Sequence, residues 1–288
     1  MGSNPSTSTI LIIKNLILTA SLGDRPFKKY AFFSMEEYAK KTNADFIVAE
    51  DIEIPKELKE LKVGRGNNTS YLKKILWIRK YLKEYDKVLW LDDTCYVNPN
   101  CPNLFNFVPS GYVAAASESQ LMYVGFKEAY KDFLKRWTIY KNERDTTFNT
   151  GVILYTKECK HMFSNDNLLN TIAKLCLTSQ WPQQLLTNYL IIINNIPRIV
   201  LDSKFNRMHI CEKYEPYIER RELISEKEGK IKDVSDEFFK KNFKFNKKLL
   251  KQDPFVYEAF IYHLAGKSKE VRENLLKQIH KTFSKVKI

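Results

Sequence analysis

The sequence predicts an α/β protein with a central, mostly parallel sheet flanked by helices. Apolar strand-like runs alternate with helical patterns, beginning with a strand over residues 10–19, a helix over 27–42 and a short strand at 45–49. This order is typical of parallel strands joined by helical crossovers. A chain of 288 residues with 44% hydrophobic residues can bury a sizeable core. Since no linker divides the chain, we expect one domain over residues 10–288.

Further elements follow in the same alternation. Residues 71–85 have the 3.6-residue apolar period of a helix, with Ile75, Ile78 and Leu82 on one face. The remaining predicted strands lie at 88–91, 112–116, 148–155 and 198–201. The remaining predicted helices lie at 129–139, 168–177, 185–193 and 270–283, with a charged helical region near 211–251.

Composition limits the classes of partner. The net charge of +13 suits a polyanion such as a nucleotide diphosphate, a nucleic acid or an anionic membrane. The basic residues are spread along the chain instead of being gathered with aromatic residues on one element, so no nucleic acid is expected. The apolar runs 10–20 and 185–193 are too short to span a bilayer, so no transmembrane segment is expected.

Residues 1–9 and the cysteines bear on location. The first nine residues are small and polar without a basic start, which predicts a disordered arm or a tag remnant and not a signal peptide. The five cysteines include no CxxC pair and indicate free thiols in a reducing compartment. The expected location is the cytoplasm, or the host cytoplasm if the protein is viral. The oligomeric state is left open.

An acid pair at the end of the predicted strand 88–91 is the first candidate for a functional site. Asp92 and Asp93 directly follow this apolar run. Adjacent carboxylates repel and need a cation or donors nearby, and Mg²⁺ is usually held by one or two carboxylates plus substrate phosphates. The pattern predicts a metal–diphosphate site at this strand end. The alternative is an exposed Asp-Asp turn.

Three other stretches carry side chains suited to the same chemistry. Lys73 and Lys74 lie near the start of the predicted helix 71–85, where anions are favoured. Asn149 and Gly151 begin the strand 148–155 and would let a ligand approach the backbone. A possible metal ligand and phosphate contacts follow in the segment His263, Gly266 and Lys269. The alternatives are a solvated basic face, an Asn-x-Gly turn and a surface histidine.

Taken in order, these motifs resemble the GT-A fold nucleotide-sugar glycosyltransferases of the glycogenin and lipopolysaccharide galactosyltransferase type. The chain looks closer still to small glycosyltransferase domains of large algal viruses. The stretches that carry the resemblance are Leu16–Gly23, Tyr71–Leu82, Val88–Val97, Phe148–Val152, Gln183–Gln184 and His263–Lys269. The resemblance implies a single GT-A domain.

The resemblance also implies roles for particular residues. Asp92, Asp93 and Thr94 match the D-x-D motif that holds Mn²⁺ or Mg²⁺, and His263 matches the histidine that completes the metal shell. The residues that match donor-binding positions are Thr19 and Ala20 for the nucleoside, Asn149 and Gly151 for the sugar pocket, and Gly266 and Lys269 for the diphosphate. Lys74 and Gln184 are further candidates for binding the donor.

Two departures from the family pattern change these expectations. Thr94 stands where the motif has its second acid, so Asp93 is expected to carry more of the metal. Gln183 stands where the family often has an acid, which leaves the catalytic base open among Glu118, Asp145 and Gln183. The choice between inversion and retention stays open with it.

The expected function is transfer of a sugar from a nucleotide-diphosphate donor, UDP-sugar first, to a hydroxyl of a glycan or other acceptor. A divalent metal would assist at the diphosphate. One alternative is a sugar-1-phosphate nucleotidyltransferase, for which the loop Ser21–Arg25 is only a partial match to the expected glycine-rich basic loop. The other alternative is a non-catalytic basic protein that binds nucleic acid.

Overall fold

Eight strands form the frame of the part of the chain that the structure describes. That structure is a computed structural model, and it describes residues 13–21, 25–56, 70–117, 147–169, 171, 182–208, 259–265 and 269–284. The strands are β1 (Asn15–Ala20), β2 (Asp45–Ala49), β3 (Lys87–Leu91), β4 (Cys95–Val97), β5 (Val113–Ser117), β6 (Phe148–Thr156), β7 (Arg198–Leu201) and β8 (Ile261–His263).

Six of these strands form one mixed sheet in the order β2-β1-β3-β6-β5-β7. β1 pairs in parallel with β2 and β3, and β5 pairs in parallel with β7. β6 is antiparallel to both of its neighbours, β3 and β5. Five strands therefore run in one direction and β6 in the other, which confirms the predicted mixed, mostly parallel sheet.

Helices cover both faces of this sheet. The described helices are α1 (Lys28–Thr42), α2 (Ser70–Tyr81), α3 (Pro182–Ile193) and α4 (Lys269–Phe283). α2 and α3 contribute Ile75, Ile78, Leu185 and Leu190 to one buried cluster. α1 and α4 contribute Met35, Tyr38, Leu276 and Ile279 to the cluster on the opposite face. The result is a three-layer α/β/α arrangement with the sheet in the middle.

The central strands are apolar on both sides because each side faces a helical layer. In β3, Val88 and Trp90 belong to the cluster beneath α2 and α3, whereas Leu89 and Leu91 belong to the cluster beneath α1 and α4. This alternation follows from the two-residue period of a strand. The acid pair follows directly, at the turn where β3 ends.

β4 and β8 form a two-stranded ribbon outside the sheet, next to the acid pair. β4 and β8 pair antiparallel, with Cys95 opposite His263. The Leu264 N–H donates to the Thr94 carbonyl over 3.1 Å, and the His263 N–H donates to the Arg207 carbonyl over 2.9 Å. These bonds fix His263 beside the turn at residues 92–94, although it lies far away in sequence.

Most predicted elements appear with shifted ends. The first strand begins at Asn15 and not at residue 10. Its pairing with β3 starts there, where Asn15 lies opposite Lys87, and Ile13 before it is 57% exposed. The helix predicted over 71–85 ends at Tyr81, where turns follow. The predictions for 1–9, 129–139, most of 168–177 and 211–251 lie outside the described residues.

Candidate active site

Asp92 is the centre of the site, directly after β3. Its N–H donates to the Gly151 carbonyl over 2.8 Å, which extends the β3–β6 pairing by one residue, and its carbonyl accepts from the Cys95 N–H over 2.8 Å. Asp92 Oδ1 accepts the Trp90 indole N–H over 2.6 Å and the Lys74 ammonium over 3.1 Å. Backbone and side chain are therefore both held in one orientation.

Lys74 reaches the same point from α2. The residue is 6% exposed, donates to Asp92 and to the Thr150 carbonyl, and lies 4.8 Å above the Trp90 ring centroid. Burial lowers the pKa of Lys74, and the Asp92 carboxylate opposes that shift. A buried ammonium that has an acid, a carbonyl and an aromatic face as neighbours is a fixed positive charge at the end of β3.

The carboxyl group of Asp92 is tuned by the same neighbours. Burial raises its pKa, but the charge of Lys74 and the nearby His263 and Trp90 side chains outweigh burial and hold the pKa well below its ordinary value. The Asp92 side chain is 37% exposed, so part of this ionised group is open to solvent. Asp92 is therefore a carboxylate that a cation or a sugar hydroxyl can approach.

His263 faces the second oxygen of Asp92. The residue is 2% exposed, and its Nε2 lies 3.5 Å from Asp92 Oδ2. Nε2 is buried and has no hydrogen-bond partner among the described residues. A Cβ on Gly151 would lie 1.9 Å from His263 Cε1, so glycine at 151 is what allows the imidazole to pack against β6.

A chain of hydrogen bonds fixes which nitrogen of His263 carries the proton. The Gly151 backbone N–H can only donate, and it donates to Asn149 Oδ1 over 3.0 Å. Asn206 contacts that same oxygen over 2.9 Å, so it does so with its Nδ2 donor. Its Oδ1 then accepts from His263 Nδ1 over 2.9 Å. Nδ1 of His263 therefore carries a proton, and the other ring nitrogen, Nε2, faces Asp92 Oδ2.

Gln183 and Gln184 lie beside this group, at the start of α3. Gln184 Oε1 accepts from the Thr150 N–H over 3.4 Å, and Gln183 Oε1 accepts from the Thr150 hydroxyl over 2.9 Å. The carbonyl of Thr150 accepts from Lys74. The two glutamines therefore adjoin the predicted sugar pocket, and their contacts hold the start of β6.

Asp93 has a different partner from Asp92. It is 7% exposed, and Arg25 Nη1 donates to both of its oxygens over 2.9 and 2.8 Å. Burial raises the pKa of Asp93, while the guanidinium of Arg25 and, more weakly, that of Arg272 lower it. Asp93 is thus engaged by an arginine that the sequence did not assign to the site.

The described side chains offer a divalent cation two ligand atoms and not a complete set. Among the described residues, no three His, Cys, Asp or Glu side chains form a group that could hold a metal ion. Two ligand atoms do face one another, Asp92 Oδ2 and the unpartnered His263 Nε2. Carboxylate and imidazole suit Mn²⁺, and Mg²⁺ commonly takes few protein ligands plus substrate phosphates. The residues therefore fit a cation whose remaining ligands are phosphate oxygens of a bound substrate.

The other predicted site residues are more dispersed. Thr19 is fully buried near the end of β1, where its hydroxyl has no partner among the described residues, and Ala20 ends that strand half-buried. Lys269 is the first residue of α4 and is exposed. Gly266, Glu118 and Asp145 lie outside the described residues.

Sequence reasoning missed three contributors. Arg25, just before α1, and Asn206, at the end of a short 3₁₀ helix, contact predicted site residues but belong to no motif. Trp90 looked like a core strand residue, and its indole N–H reaches Asp92. The available signal for Trp90 was its even spacing from Asp92, which places both side chains on one face of β3.

A mixed sheet with a central strand that ends in an acid pair, faced by a lysine and a histidine, defines a GT-A glycosyltransferase. The family model for glycosyl transferase family 8 matches residues 28–226. The chain belongs to this glycosyl transferase family.

Solved structures show the same fold at low identity. A glycosyltransferase involved in glycosylation of the major capsid of PBCV-1 is 14% identical with a TM-score of 0.50, covering 92% of this chain and 98% of its own. The galactosyltransferase LgtC, solved with donor and acceptor sugar analogs, is 15% identical with a TM-score of 0.51, covering 94% and 97%.

The bifunctional glycosyltransferase WbbM is 14% identical with a TM-score of 0.53, and the match covers 99% of this chain and 51% of WbbM. No curated protein matches the sequence. Within the described residues, no helix has both the length and the apolar character needed to cross a membrane.

Proposed function

We propose that the protein transfers a sugar from a nucleotide-diphosphate donor, a UDP-sugar in the first instance, to a hydroxyl of a glycan or other acceptor. The observation that carries the proposal is the meeting of Asp92, Lys74 and the unpartnered His263 Nε2 at the end of β3. Membership of a glycosyl transferase family favours this function over the nucleotidyltransferase and nucleic-acid-binding alternatives.

In this proposal Asp92 and His263 hold Mn²⁺ or Mg²⁺, and Asp93 joins them only when Arg25 releases it. When bound, the cation supplies positive charge to the leaving diphosphate. Lys74 keeps Asp92 ionised and oriented. The fixed charges at the end of β3 act without reorganisation as negative charge develops, which is electrostatic stabilisation of the leaving group.

The remaining donor contacts are proposed from the family resemblance. Thr19 and Ala20, at the carboxyl end of β1, meet the nucleoside, and Lys269, at the start of α4, meets the diphosphate together with Gly266, which lies outside the described residues. Asn149, Gly151 and Gln184 line the sugar pocket. Gln183, with Glu118 and Asp145, stays a candidate near the acceptor, and the stereochemical outcome is not assigned.

The cytoplasm is the proposed location. Cys95, Cys101 and Cys159 are free and buried, and such thiols are typical of a reducing compartment.

A thermal-shift screen tests the function. The full chain is heated with UDP-, GDP- and dTDP-sugars, each with and without Mn²⁺. A donor that binds only the folded chain stabilises it by mass action and so raises Tm. At a ligand concentration a hundredfold above Kd, the stabilisation is about 2.7 kcal/mol. We expect one nucleotide class to raise Tm, and more so with Mn²⁺. The absence of a shift with every nucleotide sugar would contradict the proposal.

A further inference from the structure

Arg25 and Asp93 form an ion pair next to Asp92, the centre of the proposed donor site. One guanidinium nitrogen, Nη1, donates to both carboxylate oxygens over 2.9 and 2.8 Å. The Asp93 side chain is 8% exposed, whereas the Arg25 side chain is 36% exposed. The arginine thus covers a buried carboxylate and itself borders solvent.

The hydrogen bonds to Asp93 both come from one nitrogen of the guanidinium, Nη1. A guanidinium offers five N–H donors in a plane that matches phosphate oxygens bidentately. Ion pairs with an exposed partner are weak, so this one can exchange partners when a stronger anion arrives.

A second arginine lies on the same side. Arg272, in the first turns of α4, donates through Nε to the Leu264 carbonyl over 3.1 Å, and its Cζ lies 6.0 Å from the Phe27 ring centroid. It therefore sits between the segment before α1 and the end of β8, and its charge acts on Asp93. Two guanidinium groups thus act on the single Asp93 carboxylate, and such a pair of cations suits an anionic ligand.

We propose that Arg25 is a diphosphate-binding residue that Asp93 holds in place until the donor arrives. In the free protein Arg25 occupies Asp93. When donor and cation bind together, the guanidinium moves to the diphosphate and the carboxylate becomes free for the cation. This inference rests on the proposed function, and it explains how Asp93 can be both a partner of Arg25 and a candidate metal ligand.

The exchange replaces one ion pair by two. The Arg25–Asp93 pair is lost, an Arg25–phosphate pair forms, and Asp93 gains the cation. With Thr94 in place of the second acid of the motif, Asp93 is the carboxylate adjacent to Asp92 in the sequence. A divalent cation alone must compete with Arg25 for it, so a cation is expected to bind the nucleotide-free protein weakly.

The variant Arg25→Gln gives two effects of opposite sign. Removing the guanidinium frees Asp93, so the affinity of the nucleotide-free full chain for Mn²⁺ should rise about tenfold, measured by electron paramagnetic resonance of free Mn²⁺. In EDTA, the affinity for inorganic pyrophosphate and for UDP, measured by titration calorimetry, should fall about tenfold. A purely structural Arg25 would not move the two affinities in opposite directions.

Arg79→Gln is the matched control, because Arg79 forms an ion pair with exposed Asp166 elsewhere on the surface. It should leave both affinities unchanged. Arg25→Lys keeps the charge but loses the planar donor set, and it should fall between wild type and Arg25→Gln. Circular dichroism and Tm confirm that each variant is folded.

Unchanged Mn²⁺ affinity in Arg25→Gln, including no measurable binding to either protein, would overturn the exchange. So would a change of both affinities in the same direction. Failure of the proposed function looks different. In that case no nucleotide binds the wild type, while the Mn²⁺ and pyrophosphate titrations still decide the role of Arg25.

Discussion

The two adjacent carboxylates at the end of β3 have opposite surroundings. Asp92 belongs to an inner group, Lys74, Asp92, Asn149, Asn206 and His263, whose members are held by strands, a helix and one short buried segment. Asp93 belongs to an outer pair with Arg25, which precedes α1 and is partly exposed. The difference arises at the turn after β3: Asp92 still bonds through its N–H to β6, whereas Asp93 lies in the turn itself.

The pKa directions of the two groups differ as well. Lys74, His263 and Trp90 overcome burial and lower the pKa of Asp92, whereas burial prevails over Arg25 and raises that of Asp93. Neighbouring acids whose pKa values are pushed apart commonly have different roles. The inner group fixes geometry before a ligand arrives, and the outer pair can change partners on binding.

Asp92→Asn should have the largest effect, because it removes the negative charge on which the inner group converges. We expect kcat for sugar transfer to fall about 10³-fold, measured with the donor found in the thermal-shift screen. Tm should also fall, since the buried Lys74 ammonium loses its counter-charge. Asp93→Asn makes the same chemical change one residue later and should cost only about tenfold. Equal losses in the two variants would contradict the division into inner group and outer pair.

Gly151→Ala tests how tightly the inner group is packed. The new methyl would lie 1.9 Å from a ring carbon of His263, which is buried and cannot easily move. We expect the free energy of unfolding to fall by about 3 kcal/mol, measured by urea denaturation. Gly111→Ala is the matched control: its site has open space but a φ of +85°, so the loss should be about 1 kcal/mol. A smaller loss at 151 than at 111 would show that the His263 ring is free to shift.

Much of the inner group could be predicted from local sequence. The run Val88–Leu91 is apolar because both of its faces are covered, and the acids that follow it stand out for that reason. The helical period of α2 placed Lys74 near a helix start, and motif order linked His263 to the acid pair. These signals are carried by residues within one element or by spacing along the chain.

The outer pair and the hydrogen bonds to His263 could not be predicted in this way. Arg25 and Asp93 are 68 residues apart, and Asn206 is 57 residues from both Asn149 and His263. Arg25 precedes α1 and Asn206 ends a short 3₁₀ helix, so neither belongs to a periodic pattern. The pairing of Arg207 with β8 brings Asn206 to His263, and no local sequence pattern predicts that pairing.

Asn206→Leu should remove the hydrogen bond that fixes the proton on His263 Nδ1, while Asp92 and Lys74 stay in place. In the wild type, ¹⁵N-edited NMR of histidine-labelled protein should show His263 with its proton on Nδ1, assigned by comparison with His263→Gln. In Asn206→Leu this signature should be lost, and Mn²⁺ affinity in the presence of UDP should fall about 10–100-fold. Asn206→Asp keeps an acceptor for Nδ1–H and should retain the tautomer. An unchanged spectrum in Asn206→Leu would mean that the strand backbone alone orients the imidazole.

Lys73→Met should have the smallest effect of all, and its comparison with Lys74→Met is informative because nothing in the local sequence separates the two lysines. Lys73 pairs with Asp51, whose side chain is 78% exposed, whereas Lys74 is buried against Asp92. Lys73→Met should therefore change Tm by no more than about 2 °C and leave sugar transfer unchanged, since exposed ion pairs add little to stability. Lys74→Met removes the fixed charge beside Asp92 and should lower kcat about 10²-fold. If Lys73→Met lowered kcat as much as Lys74→Met, positive charge near the start of α2 would matter more than its placement against Asp92.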